Sequence, residues 1–226
     1  MSKISKLSSY LLCISLVIAT LLSVVDFCCF DRNFYASEQR KLNIAEDIGV
    51  NNEELDEMTT ILLGYLKHEN DDLFVTAKVK GSEREIFNQR EKDHMIDVRN
   101  LYDNAINVRN ISLGLIIVCV IYLFYHHKLF NISYYYNQTL LLFAFIFGFI
   151  DLFCLIDFNA FWTSFHELFF PMNDLWLLDP RVDILIMMVP EQFFFDLVTK
   201  IIIIVALALV AYFIAFRYLR RKIKNA

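Results

Sequence analysis

The chain has 226 residues, and its composition excludes an ordinary soluble domain. Apolar residues make up 57% of the chain and Phe occurs 22 times, whereas soluble domains average about 45–50% apolar. The net charge of −5 is unevenly distributed, because most acidic side chains fall between about residues 31 and 109, whereas the basic side chains at the chain ends have no acidic neighbours. No basic stripe is present, so nucleic acid is not an expected partner.

Four apolar blocks predict four transmembrane helices, since each approximates the ~20 residues that a spanning helix needs. No small-x-small cleavage site follows the first block, which favours a retained span over a signal peptide. The sequence thus divides into the N-terminal tail and span 1 (1–30), an extracytoplasmic domain (31–109), span 2 (110–130), a cytoplasmic link (131–138), span 3 (139–157), an extracytoplasmic interfacial segment (158–196), and span 4 with a basic cytoplasmic tail (197–226).

Lys and Arg side chains set the expected orientation. They occur before span 1, between spans 2 and 3, and after span 4, so the positive-inside rule puts both termini in the cytoplasm. The two long segments, 31–109 and 158–196, are then extracytoplasmic. The cations concerned are Lys3, Lys6, Lys128, Arg217, Arg220, Arg221, Lys222 and Lys224.

Segment 31–109 is expected to fold as a small α+β domain. A helix-start signature at Asn52 is followed by apolar residues at helical spacing. Alternating residues from Leu73 to Lys80 predict a strand, with a turn at Gly81 and Ser82 and a return strand at Glu85–Phe87. Asn88 with Glu91 three residues later resembles a capping box that opens a second helix towards span 2.

Segment 158–196 is rich in aromatic residues and contains all three prolines and both tryptophans. This composition is typical of short amphipathic helices that lie in the membrane interface. The five cysteines lie in or beside apolar blocks, which indicates buried thiols rather than a disulfide framework and leaves Cys28 and Cys29 as the candidates for a reactive thiol.

Two histidines stand out, one in each extracytoplasmic segment. His94 begins the apolar stripe of its helix, with Glu91 three residues before and Asp97 three after. His166 lies among aromatic residues beside Glu167. Each is compatible with a purely structural role, but together they suggest a shared site.

A metal centre is the first alternative for these residues. The residues from His166 onward, HELFF, begin like the zinc motif H-E-x-x-H, but Phe170 stands where the second histidine is required. A site made of His94, His166 and a carboxylate remains open at this stage. The chain has neither a G-x-S-x-G elbow nor a Gly-rich phosphate loop.

Two stretches carry further information. The first is residues 87–101, FNQREKDHMIDVRNL. The second and more specific one comprises residues 165–170 (FHELFF), Trp176, Asp179-Pro180 and residues 185–194. Both resemble the lipoprotein intramolecular transacylases of low-GC Gram-positive bacteria, a family of integral membrane proteins, although Lys92 and Asp93 are more polar than the family pattern beside the first histidine. The resemblance extends over nearly the whole chain, including the number of spans.

The resemblance implies that an acyl chain moves from the sn-2 ester of the diacylglyceryl group to the α-amine of the N-terminal cysteine of the same lipoprotein. The partners would be diacylated lipoproteins and membrane lipids, without metal or cofactor. His166 would be the general base and His94 would polarise the ester oxygens, although these roles are exchangeable. The candidate supporting residues are Glu91, Asp97, Arg99, Glu167 and Trp176.

This chemistry fits the residues on independent grounds. The nucleophile is the substrate's own amine, so no serine or cysteine nucleophile is needed, and an imidazole is basic enough to accept a proton from an amine of pKa about 8. The alternatives are a non-catalytic membrane scaffold, in which the two histidines lie far apart, and a membrane metallohydrolase. The sequence does not indicate the oligomeric state.

Overall fold

A computed structural model describes residues 2–225, and the side chains of residues 2–222. The side chain of Lys224, one of the predicted cytoplasmic cations, lies outside this description. The elements in chain order are α1 (Lys3–Cys29), α2 (Arg32–Lys41), α3 (Ile44–Ile48), α4 (Asn52–Leu66), β1 (Thr76–Val79), β2 (Ser82–Glu85), α5 (Gln89–Tyr125), α6 (Ile132–Ile156), α7 (Phe158–Phe169), α8 (Ile184–Met188) and α9 (Glu191–Asn225).

Four helical segments are long and apolar enough to cross a membrane, which confirms the predicted fold class. They are Lys3–Cys29, Gln89–Tyr125, Leu129–Ile156 and Glu191–Lys222. Large apolar side chains cover their surfaces, and Phe145 of α6 is 78% exposed. An apolar surface of this extent requires lipid as its solvent. In α5 the uninterrupted apolar run begins only after Arg109, so its charged first half precedes the membrane-spanning part.

The chain forms two compact units. Unit 1 consists of α1 up to Phe27, Ala105–Ile156, and the chain from Thr199 onward. Its core contains Val17, Val205 and Leu209, and the hydroxyl of Tyr136 donates a hydrogen bond to the Leu209 carbonyl over 2.7 Å.

Unit 2 consists of Cys28–Asn104 and Asp157–Val198. It therefore combines the small α+β region with the aromatic segment that follows α6. Phe193 of α9 is fully buried, and its ring centroid lies 4.8 Å from that of Tyr35 in α2. Helix α3 packs against α8. Segments far apart in sequence thus share one core.

The start of α4 lies one residue from the predicted signature. Asn51, not Asn52, is the N-cap: its side chain accepts a hydrogen bond from the Glu54 amide over 2.8 Å, and the Glu54 carboxylate accepts one from the Asn51 amide over 2.9 Å. A capping box requires its two members three residues apart, and only Asn51 has that spacing from Glu54.

The hairpin is present, but its predicted turn was wrong. Lys80 and Gly81, with φ of 51° and 84°, form the turn. Two consecutive residues with positive φ define the tight turn that suits the twist of a hairpin. The strands therefore pair with Val79 opposite Ser82 and Thr76 opposite Glu85, so the return strand is Ser82–Glu85 instead of Glu85–Phe87.

The break between the second and third spans lies earlier than predicted. Helix α5 ends at Tyr125, a 3₁₀ turn covers Leu129–Asn131, and α6 begins at Ile132. Residues 132–138, assigned to the link by sequence, are the first two turns of α6. His127 has a φ of 50°, in the left-handed region, and this conformation ends the preceding helix.

Short helices in the aromatic segment agree with the predicted pattern of proline breaks. Pro171 follows α7 and Pro190 directly precedes α9, because proline is disfavoured inside a helix and tolerated at its first turn. Cys13, Cys28, Cys119 and Cys154 are buried, whereas Cys29 is partly exposed.

Candidate active site

His94 lies in the second turn of α5, and a capping box positions that turn. The Asn88 side chain accepts a hydrogen bond from the Glu91 amide over 3.1 Å, and the Glu91 carboxylate accepts one from the Asn88 amide over 2.7 Å, as predicted from their spacing. His94 is 6% exposed, and its buried Nδ1 has no hydrogen-bond partner among the described residues. Within the described part of the chain, Nδ1 of His94 is therefore not engaged in a hydrogen bond.

His166 lies near the end of α7, whose start is capped by the Asp157 side chain. Its Nδ1 lies 2.7 Å from the carbonyl oxygen of Trp162, one helical turn earlier. A carbonyl oxygen only accepts hydrogen bonds, so Nδ1 must carry the proton. In the neutral ring, Nε2 then holds the free lone pair. The local helix thus fixes the tautomer of His166 with Nε2 as the basic atom.

The two imidazoles face each other within unit 2. Their ring centroids are 6.1 Å apart, and the planes are inclined at 34°. Phe170 contacts both rings, with centroids 5.5 Å from His94 and 5.8 Å from His166. Trp176 stacks on His166 with a centroid distance of 5.0 Å. The scaffold alternative, which requires separated histidines, does not fit this distance.

Burial makes both histidines poor proton acceptors from solvent. The pKa of His94 falls from 6.5 to about 4, mainly through desolvation and then through the neighbouring His166, while the negative charge of Asp97 opposes the shift. Burial also lowers the pKa of His166, although its hydrogen bond to Trp162 acts in the opposite direction. Both rings are therefore neutral at physiological pH, with their lone pairs available.

A largely buried polar network, with Asn88 at its exposed edge, joins the start of α5 to α8. Glu91 is fully buried, and its carboxylate also accepts a hydrogen bond from the Leu185 amide over 2.6 Å. The side-chain Nδ2 of Asn88 donates to the Asp183 carboxylate over 2.6 Å, and that carboxylate accepts a second bond from the Asp179 backbone amide, also over 2.6 Å. We call Asn88, Glu91 and Asp183 the α5–α8 clamp. Burial raises the pKa of Glu91 against the opposing effect of its backbone donors.

A family model described as lipoprotein intramolecular transacylase Lit matches residues 10–194. The chain belongs to this family. Its membership confirms the resemblance carried by residues 87–101 and 165–194, and it identifies the chain as a membrane-integral acyltransferase of lipoproteins. None of the curated proteins searched gives a significant match.

Solved structures of one family member have the same fold. The Bacillus cereus lipoprotein intramolecular transacylase Lit is 20% identical, with a TM-score of 0.84 and 100% of each chain covered. Two variants of that protein, in which a histidine is replaced by alanine or by arginine, give TM-scores of 0.80 and 0.79. The alanine variant covers 99% of this chain and 96% of its own, and the arginine variant 98% and 94%. At 20% identity this similarity establishes the fold.

Of the candidate supporting residues of this transacylase, Trp176 and Asp97 act on the histidines, whereas Glu91 does not contact them. Trp176 contacts His166, and Asp97 accepts a hydrogen bond from the Asn173 side chain over 2.9 Å while its charge acts on His94. Glu91 belongs to the clamp, and its carboxylate bonds backbone amides rather than the His94 ring.

Arg99 packs on an aromatic ring of α4 rather than on the imidazoles. The guanidinium carbon of Arg99 is 4.1 Å from the centroid of the Tyr65 ring, in a cleft that also contains Lys92. Five residues of α-helix rotate the side chain by about 140° from His94, which accounts for this position. Glu167 is exposed.

Sequence reasoning missed Asp183 and the backbone amide of Leu185. The signal for Asp183 was weak, because an acidic residue after a proline-containing turn is common on protein surfaces. Its burial, at 4% exposure, appears only when α8 packs against the start of α5. Among the described residues, no group of three or more His, Cys, Asp or Glu side chains is arranged to hold a metal ion.

Proposed function

We propose that this transacylase moves the sn-2 acyl chain of a diacylglyceryl lipoprotein to the α-amine of its own N-terminal cysteine. The product is a lyso-form lipoprotein with an N-acyl chain and an S-monoacylglyceryl group. His94 and His166 are the catalytic residues of this reaction. The observation that carries the assignment is the pair of buried, neutral imidazoles 6.1 Å apart, supplied by two segments that are distant in sequence.

His166 acts as the general base and then as the general acid. Nε2 takes a proton from the cysteine amine as its nitrogen attacks the ester carbonyl carbon. The tetrahedral intermediate collapses by breaking the bond to the glyceryl oxygen, and the imidazolium of His166 returns the proton to that oxygen. The amide bond forms, the ester bond breaks, and the histidine ends in its initial state. The tautomer fixed by the Trp162 carbonyl supports this role.

His94 polarises the carbonyl oxygen of the ester. Its buried Nδ1 lacks a partner, and an unpaired acceptor is less costly than an unpaired N–H donor. The proton therefore belongs on Nε2, which is then free to donate a hydrogen bond to the developing oxyanion. Donors aimed at such an oxygen contribute about 3–4 kcal/mol in other acyl transfers. Asp97 favours this role electrostatically by stabilising positive charge on the ring.

Intramolecular transfer explains why so few groups are required. The amine and the ester belong to one substrate molecule, so a pocket that folds them together supplies up to about 7–11 kcal/mol through proximity. Phe170 and Trp176 form apolar walls beside the two imidazoles and exclude water. Exclusion of water matters because water would otherwise hydrolyse the ester.

The decisive experiment compares histidine variants in cells that lack any other such enzyme. We expect His166→Ala to reduce conversion of a reporter lipoprotein by about 10²–10⁴-fold, as is usual when a general base is removed, and His94→Gln to reduce it comparably. Mass spectrometry of the N-terminal peptide distinguishes diacylglyceryl from lyso-form termini.

His68→Asn is the matched control for these variants. His68 is an exposed histidine of the same unit that pairs with Asp103, and its φ of 59° is one that Asn tolerates. The control should convert the reporter fully. Full conversion by both His94→Gln and His166→Ala, at normal membrane levels, would refute the assignment.

We place both termini in the cytoplasm and the active site on the extracytoplasmic face, where mature lipoproteins are exposed. The distribution of Lys and Arg supports this orientation. A fluorescent protein fused to the C-terminus should fold and fluoresce, whereas a periplasm-dependent reporter at that position should stay inactive. The opposite result would reverse the topology.

A further inference from the structure

Unit 1, which does not contain His94 or His166, has a cavity lined by basic and polar residues. The cavity has a volume of about 210 Å³ and lies between the first turns of α6 and the last turns of α9. Its lining is formed by Ser133 and Asn137 of α6 and by Arg217, Arg220 and Arg221 of α9. Ser133 is only 2% exposed, so part of this lining belongs to the interior of the unit.

Among the described residues of unit 1, no acidic side chain pairs with the arginines of this cavity. The only acidic side chains in its sequence are Asp26 and Asp151. Asp26 pairs with Arg109 over 2.6 Å, and Asp151 lies 14 residues after Asn137 on α6, a rise of about 21 Å. Among the described residues, none of the ion pairs includes Arg217, Arg220 or Arg221.

The simplest alternative is that the three arginines belong to a solvated basic tail. This would explain their charge but not the cavity that they line together with α6. Arginines that serve only to orient a span need no concave surface, whereas here a hydroxyl and an amide from a second helix face the same space. Three guanidinium groups with two neutral donors form a set suited to a tetrahedral oxyanion, because guanidinium groups bind phosphate oxygens in pairs of parallel hydrogen bonds.

We propose that this cavity binds a phosphate group, supplied by the headgroup of an anionic phospholipid or by free inorganic phosphate. Arg217, Arg220 and Arg221 neutralise the charge, and Ser133 and Asn137 donate to the remaining oxygens. The exposed side chains of Tyr218 and Leu219 beside the arginines offer an apolar surface to acyl chains, which fits a lipid. The bound phosphate joins the ends of α6 and α9 and stabilises unit 1.

The test uses the purified full-length protein in neutral detergent. Native mass spectrometry with phosphatidylglycerol should show a 1:1 adduct, and phosphatidylcholine should bind at least tenfold more weakly. Arg220→Gln and Arg221→Gln should each weaken phosphatidylglycerol binding by about tenfold, the order expected for one charge-assisted contact. These side chains are exposed, so the variants should fold, and circular dichroism checks that they do.

Lys222→Gln is the matched control. It removes the same charge from the next residue of the same helix, outside the cavity lining, and should change binding less than twofold. A second arm replaces lipid by millimolar inorganic phosphate and follows thermal unfolding. A rise in melting temperature that depends on Arg220 and Arg221, without preference for phosphatidylglycerol, identifies free phosphate as the source.

Three results would overturn the site. The first is equal binding of phosphatidylglycerol and phosphatidylcholine, with no effect of phosphate on the melting temperature. The second is that Lys222→Gln weakens phosphatidylglycerol binding as much as Arg220→Gln does. The third is that neither phosphatidylglycerol nor phosphate binds. The first and last would show that the arginines only orient the helix. The second would show diffuse attraction by the basic tail.

Discussion

Substitution of Glu91 tests whether its carboxylate supports the fold of unit 2 or takes part in the reaction. Glu91 is fully buried and accepts hydrogen bonds from the amides of Asn88 and Leu185. In Glu91→Ala both amides lose their acceptor, but Asn88 is exposed and its amide can bond to water instead. The Leu185 amide is left as an unsatisfied buried donor, so unit 2 should lose about 1–3 kcal/mol of stability. Glu91→Gln keeps one acceptor oxygen and should lose about half as much.

Intrinsic tryptophan fluorescence is a selective assay for this effect. The only two tryptophans, Trp162 and Trp176, both lie in unit 2, so their emission during chemical unfolding reports on that unit. Glu57→Gln, which makes the same chemical change at an exposed position of α4, should unfold like the wild type. At temperatures where Glu91→Gln is folded, its kcat/KM should fall less than tenfold, because neither imidazole loses a hydrogen bond.

Two outcomes would contradict this reasoning. If Glu91→Ala and Glu91→Gln unfold together with Glu57→Gln, the clamp does not stabilise unit 2. If Glu91→Gln is as stable as the wild type but as inactive as His166→Ala, the carboxylate acts on the substrate instead of on the backbone.

Three further predictions concern the imidazole pair. A plot of log kcat/KM against pH should rise with a slope of one until the pH reaches the pKa of the substrate amine, about 8. A second break in this plot near pH 6.5 would show that burial does not lower the pKa of His166. Because the folded pKa of His94 is about 4 and the unfolded value is 6.5, unit 2 should be fully stable above pH 6.5 and lose about 3 kcal/mol as the pH falls towards 4. In His94→Gln, tryptophan fluorescence should show that this loss has disappeared, whereas an unchanged pH dependence would assign it to another group. Trp176→Ala should lower kcat by about fivefold, since stacking contributes about 1 kcal/mol, and Trp176→Phe should retain most of the activity; an unchanged kcat in Trp176→Ala would exclude a positioning role.

Local signals predicted the elements of this protein well where a single physical requirement decides the structure. A span needs only length and apolarity, and the capping box of α5 needs only Asn88 and Glu91 three residues apart. The hairpin was harder, because its register depends on whether Lys80 accepts a positive φ. Lysine is not a residue that favours that conformation, so the sequence pointed to Gly81 and Ser82 instead.

The imidazole pair was predictable as residue types but not as chemistry. Spacing placed His94 on an apolar stripe and His166 among aromatic residues, and both expectations are consistent with their burial. Which nitrogen of His166 is basic depends on a backbone carbonyl one turn earlier, a contact that no side-chain pattern encodes. The position of Glu91 against Leu185 likewise depends on α8, which lies 94 residues away in the chain. A candidate catalytic histidine is recognisable from its neighbours in sequence, but the tertiary structure sets its tautomer and its support. Substitutions at Trp176 and Glu91 probe that support most directly.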